Sequence, residues 1–176
     1  MPIDRVPERP PEATAPASRS QVTLARVMGV MDANNYGSVH GGVIMRAVDE
    51  AAAVAAVRHS DGPAVTAFMD SMAFREPVRL GDLLTTRAQV NWTGVTSMEV
   101  GVKVTAQRLE VAGEIHVATA YLVFVAVDAD GNPRPVPQVE PQTEDEVRRR
   151  SEAEIRRSSR LDRRRAIEDL RKGSSA

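Results

Sequence analysis

Hydrophobic and polar positions change rhythm several times along this chain, and each change marks an element. The run QVTLARVMGVM (Gln21–Met31) suits a strand and stops at DANNYG (Asp32–Gly37), a cluster of turn formers. Over Gly41–Arg58, Ile44, Ala47, Val48, Ala51 and Ala55 recur at steps of three and four, which predicts one helix with these residues on a single face. Its sides are mostly alanine and valine, so it is slim and apolar nearly all round, as expected of a helix enclosed by other structure. After the turn Ser60–Pro63, four β-like runs follow: Ala64–Phe74, Leu83–Trp92, Thr96–Leu109 and Glu114–Asp128. In the third, Met98, Val100, Val102, Val104 and Ala106 alternate with polar or small residues, the pattern of a half-buried strand. In the fourth both alternating sets are apolar, which predicts a strand that is central or buried on both faces. No proline falls between Val78 and Asn132, as an uninterrupted antiparallel sheet requires.

Strand, long helix, then four strands has one compact solution: an α+β fold in which a curved five-strand antiparallel sheet wraps a single central helix. Such a sheet keeps an outer face and an edge, so a second copy is expected to cover them, with the apolar outer face of the last strand as the ground for it. The two ends are different in kind. Five of the eleven prolines lie in the first sixteen residues, so residues 1–20 are expected to form a mobile arm. Residues 142–176 contain a Thr143-x-x-Glu146 capping box and should be helical. Val147, Ile155, Leu161, Ile167 and Leu170 are too sparse there for a packed stripe, so this tail is expected to be a solvated helix held by ion pairs along its own length. The body is then residues 21–141.

At 176 residues the chain fits one domain with spare length at its ends. The absence of cysteine excludes disulfides, thiolate metal sites and a cysteine nucleophile, and suits the cytoplasm. The formal charge of −1 conceals a basic tail: residues 143–172 hold 11 of the 23 basic residues and 8 of the 24 acidic ones. Nothing in this balance calls for nucleic acid, and the six scattered aromatics make no base-stacking platform. No apolar run is long enough to cross a membrane as a helix, and the first twenty residues lack the apolar core of a secretory signal.

Unusual residues concentrate from Asp32 to Glu50, a loop feeding a helix. A helix start offers unpaired N–H groups and partial positive charge, and Gly41-Gly42 lets a ligand approach that backbone, so an oxyanion or a carbonyl about to become one is the natural guest. Asp49, two turns on, is a carboxylate among Ala47, Val48 and Ala51, where charge is costly without a purpose. Asn34 either shapes its turn or holds a carbonyl oxygen or water, and His40 sits at the helix cap. His59 and His116 are at a helix end and within a strand, and no histidine spacing makes a metal site. Serine-hydrolase elbows, phosphate loops and dinucleotide turns are missing.

These residues resemble the hotdog-fold acyl-CoA thioesterases, in the branch holding the brain-type cytosolic enzymes and small bacterial single-domain relatives. The resemblance covers roughly Val22 to Pro141. It rests on Asp32-Ala-Asn34 with Gly37-x-x-His40-Gly41-Gly42 and Asp49, on Phe74-x-x-Pro77-Val78-x-x-Gly81-Asp82, on Gly94-x-Thr96-Ser97-Met98-Glu99-Val100, and on Phe124–Asp128 with Gly131 and Val136-Pro137. It implies a hotdog fold and hydrolysis of fatty acyl-CoA to free acid and CoA, with no cofactor beyond the CoA of the substrate and no metal. By resemblance Asp49 activates water or attacks the thioester, Asn34 of the opposite subunit positions the reacting group, and the carbonyl rests at Gly41 or Gly42 beside His40. Thr96, Ser97, Arg75 and Arg79 are the candidates for CoA contacts. The implied assembly is a homodimer, with three dimers forming a hexamer.

Two other functions fit the same residues. A hotdog hydratase or dehydratase would use His40 as its catalytic histidine, and a non-catalytic acyl-CoA sensor would bind without turnover, leaving the basic tail for a nucleic-acid contact.

Overall fold

The computed structural model describes residues 14–108 and 112–173. A short strand β1 (Thr14–Pro16) and a 3₁₀ turn (Ala17–Ser20) lead into β2 (Val22–Val27). The helix α1 (Gly41–Ser60) follows, then β3 (Ala64–Phe74), β4 (Leu83–Thr93), β5 (Ser97–Gln107), β6 (Ile115–Ala126), the short β7 (Gln138–Glu140) and a second helix α2 (Glu144–Gly173). The main sheet is antiparallel throughout, in the order β2-β4-β5-β6-β3. The α+β architecture expected from the hydrophobic pattern is therefore present.

The sheet curves round α1 because one face of every strand meets it. Ile44, Val48, Ala51, Ala52, Ala55 and Ala56 of the helix are buried against Val100, Val102, Val104, Ala118, Ala120, Leu122 and Phe124. The small alanines are what allow five strands to approach one helix closely. β6, apolar at both parities, lies inside the sheet between β5 and β3. Met45, Val54 and Val57 on the other side of α1 stay exposed in the single chain.

Three expectations change. Of the arm expected over residues 1–20, residues 14–20 are built into the body: β1 pairs in parallel with β7, and Ala15, Ala17 and Ser20 are buried. Residues 1–13, Leu109 at the end of the third run, and residues 174–176 lie outside the described residues.

The tail is helical as the Thr143–Glu146 box predicts, with Glu146 N–H donating to Thr143 Oγ1 at 3.2 Å and Thr143 N–H to Glu146 Oε2 at 3.2 Å. It is not a solvated arm. Instead α2 lies across the outer face of the sheet, with Arg156 Nη2 2.7 Å from Glu99 Oε1, Arg160 Nη1 2.8 Å from Asp70 Oδ2, and Gln89 bonded to both Glu146 and Arg149. Arg156 stacks 3.6 Å above the Tyr121 ring and Arg157 5.0 Å from Trp92. The stripe is made of arginines on carboxylates and rings, which a count of apolar residues does not register.

The ground for a partner also moves. Part of the outer face of β6 is covered by the chain's own helix, whereas the edge strand β3 leaves Val65, Phe68 and Phe74 exposed. The unpaired, apolar edge is the surface that calls for a second copy.

Candidate active site

The loop between β2 and α1 is closed on itself. Asn34 N–H donates to Ser38 O at 2.7 Å, and Asn34 Oδ1 accepts from the N–H groups of Tyr36 (2.8 Å) and Ser38 (3.2 Å) while its Nδ2 donates to Ser38 Oγ at 2.9 Å. Gly37 takes φ +79°, a left-handed turn that a side chain would strain. The base of the loop is tied to the segment after β3 by Val39 N–H donating to Val78 O and a bridge between Ser38 and Arg79. Asp32 carries the loop's other support: the Arg26 guanidinium holds its carboxyl below the usual range, helped by the Gly29 N–H. Asn34 thus shapes its turn.

His40 is the N-cap of α1, and its Nδ1 accepts the Gly42 N–H at 2.9 Å. Within the chain the Gly42 donor is therefore taken, and of the two glycines proposed for a carbonyl it is Gly41 that remains at the open helix start beside Phe74. Gly42 has its own reason to lack a side chain: a Cβ there would lie 3.1 Å from His40 Nδ1. The cap uses Nδ1 alone as acceptor, so in the neutral ring the proton sits on Nε2.

Asp49 is half-buried, and its Oδ1 accepts a hydrogen bond from Thr66 Oγ1 at 2.8 Å. Thr66 is a residue that reading the sequence missed. A lone threonine in a strand carries no chemical signal, and its face depends on a bulge. β3 shifts register between Thr66 and Phe68 and again between Met69 and Ser71, so Thr66 pairs with Phe124 on the helix side while Phe68 pairs with Val123 on the outer side. Strict alternation would put both on one face.

The remaining candidates separate into two groups. Arg75 follows β3, its N–H donating to Val117 O, and Arg79 adjoins the Asn34 loop. Thr96 lies in the β4–β5 turn and Ser97 opens β5, where it pairs with Val125 at the other end of β6. Eight residues of strand separate Val117 from Val125, about 26 Å, so one chain does not bring the arginines and the Thr-Ser pair together. Asn34 is bonded within its own loop, whereas the Asp49 carboxylate is bonded to Thr66. His59 Nε2 bonds to Pro137 O and His116 Nε2 to Thr119 Oγ1, so both serve the framework. Among the described residues, no three His, Asp or Glu gather as metal ligands, and no helix is long and apolar enough to cross a membrane.

A sequence profile of the thioesterase superfamily matches residues 36–112. The uncharacterized acyl-CoA thioester hydrolase YkhA of Bacillus subtilis is 41% identical over 117 residues, spanning 66% of this chain and 68% of its own. This chain belongs to the thioesterase superfamily. The cytosolic acyl coenzyme A thioester hydrolase of Mus musculus is 37% identical over 134 residues, and the match spans 75% of this chain but 35% of that longer enzyme. Among solved structures, a hexameric acyl-CoA thioesterase superposes with a TM-score of 0.83 at 38% identity, covering 86% of this chain and 97% of that one. The acyl-CoA hydrolase of Staphylococcus aureus, solved with butyryl coenzyme A, coenzyme A and coenzyme A disulfide, gives 0.83 at 31% identity over 93% of this chain and 99% of its own. Further structures of the Staphylococcus enzyme carry alanine in place of an asparagine, an aspartate and a threonine. With a coverage of 93%, this superposition takes in most of α2, a part of the chain that the sequence resemblance left unexplained.

Proposed function

We propose that this superfamily member hydrolyses acyl-CoA thioesters to free acid and CoA, at a site shared by two copies joined along β3. The observation that carries the reading is the Asp49–Thr66 hydrogen bond at an open, apolar sheet edge. The alanine variants of the Staphylococcus enzyme support it. Numbered along that protein, the aspartate follows the asparagine by fifteen positions and the threonine follows the aspartate by seventeen, and Asn34, Asp49 and Thr66 keep both intervals.

The chemistry follows from the charges. Thr66 holds Asp49 Oδ1, leaving Oδ2 to take a proton from water as the water oxygen attacks the thioester carbon. Negative charge on the carbonyl oxygen is stabilised at the start of α1, where the Gly41 N–H and the helix dipole lie. The C–S bond then breaks, the CoA sulfur leaves with the electron pair, and the proton passes from Asp49 to the departing thiolate. Two copies set antiparallel at β3 put the Asn34 loop, Arg75 and Arg79 of one beside Asp49, Thr96 and Ser97 of the other. That arrangement reunites residues which a single chain keeps apart, with the arginines and the Thr-Ser pair available to CoA. The substrate is soluble and the mouse relative is named cytosolic, so the protein works in the cytoplasm; the hexameric relative supports an assembly of three such pairs.

The test is thiol release from short-, medium- and long-chain acyl-CoA. Asp49→Asn should lower turnover at least about a hundredfold with an unchanged melting temperature, and Asn34→Ala should lower it strongly. Full activity of Asp49→Asn overturns the assignment.

A further inference from the structure

The course of α2 over the sheet points beyond the single chain. Its contacts advance strand by strand: Glu146 and Arg149 on Gln89 of β4, Arg156 on Glu99 of β5 and Tyr121 of β6, Arg160 on Asp70 and Phe68 of β3, and Arg163 Nη2 3.9 Å from Asp70 Oδ1. β3 is the edge of the sheet. The helix therefore passes the edge near Arg163 with residues 164–173 still to run, an overhang of about 15 Å.

The docked residues 146, 149, 153, 156, 160 and 163 are spaced by alternating steps of three and four, with Ala153 fully buried where the helix lies closest to the sheet. The next positions in that series are 167 and 170, and these are Ile167 and Leu170. At about 100° per residue Ile167 falls in the middle of the docked arc and Leu170 at its flank, whereas Val147 and Ile155 point the other way. In the single chain Ile167 is 43% and Leu170 75% exposed. Two apolar side chains thus continue the docking stripe where the chain's own sheet has ended.

We infer that the overhanging end of α2 is a strap onto a second copy of this chain, with Ile167 and Leu170 seated on the outer face of the partner's β3. A sheet lies beneath that overhang only if another β3 joins this one edge to edge. The outer face of β3 offers the matching surface, since Val65 and Phe68 are 51% and 40% exposed. A two-fold axis between the strands makes the contact twice, each copy giving a helix end and receiving one. The inference rests on the β3 pairing of the proposed site, and adds a second, independent attachment outside it.

The absence of cysteine allows a clean trap. Leu170→Cys and Val65→Cys variants, mixed and oxidised mildly, should give a disulfide-linked species of twice the chain mass on a non-reducing gel, above what either forms alone. Ile167→Glu/Leu170→Glu should raise the self-dissociation constant at least about tenfold by sedimentation, with circular dichroism unchanged because neither side chain is buried in the chain itself. No linked species together with unaltered sedimentation of the charged variant overturns the strap, and points to some other surface as the partner of these side chains. A wild-type protein that sediments as a single chain overturns both the strap and the shared site. Linked dimers without thiol release would leave the strap standing and remove the thioesterase reading.

Discussion

Thr66 and Asp49 form a pair in which the hydroxyl is the smaller partner but sets the aim of the larger. Removing it leaves the Asp49 carboxylate without that hydrogen bond. Thr66→Val should therefore lower kcat about fivefold, the scale of one lost hydrogen bond of about 1 kcal/mol, while Thr66→Ser, which keeps the hydroxyl, should restore most of it. A merely structural threonine would show neither the loss nor the rescue, so measuring kcat for both variants decides its role. At the helix start the limiting contact is steric. A methyl at position 42 presses on the His40 ring, and Gly42→Ala should break the cap and cost about 1 kcal/mol in urea unfolding. Asp49 and Asn34 could be read from the sequence as candidates because a carboxylate among alanines and an amide in a turn-forming loop stand out by type. Thr66 was not, since a register shift decides which way it faces.

Among the elements, α2 departs furthest from its sequence pattern. Its start was readable from the Thr143–Glu146 box, but its attachment was not, because it uses Arg156 on Glu99 and Tyr121 where an apolar stripe would be sought. Glu99 is almost wholly covered, and truncating it strands a guanidinium in the interface. Glu99→Ala should cost about 3 kcal/mol, read from denaturant midpoints, and more than Glu99→Gln. A pH dependence follows from Glu146. Burial pushes its carboxyl up, but the Gln142 N–H, the Gln89 side chain, the Thr143 N–H and Arg149 together outweigh this, and the net shift is downward from 4.5. A group held lower in the folded state contributes stability above its unfolded pKa and loses it as pH falls through the folded value. The stability advantage of wild type over Glu146→Gln should thus be full at neutral pH and shrink below about pH 4.5, measured by thermal melts across that range.

For the whole molecule, the wrapped helix was legible because period and run length suffice to order a strand, a helix and four strands. The anchoring of residues 14–20 was not, since β1 and β7 are three residues each and pair only because the fold brings distant stretches together.

The open β3 edge also has a consequence in mass action. If Asp49 and Thr66 act only when a neighbour's loop closes over them, the number of working sites depends on how much protein is present. Specific activity should decline on dilution through the dissociation constant instead of staying constant as for a one-chain enzyme. A ligand that occupies the seam binds the assembled form alone, so adding CoA should hold the activity up to greater dilution. Initial rates over a dilution series, with and without CoA pre-equilibrated and then competed off by excess substrate, measure both effects.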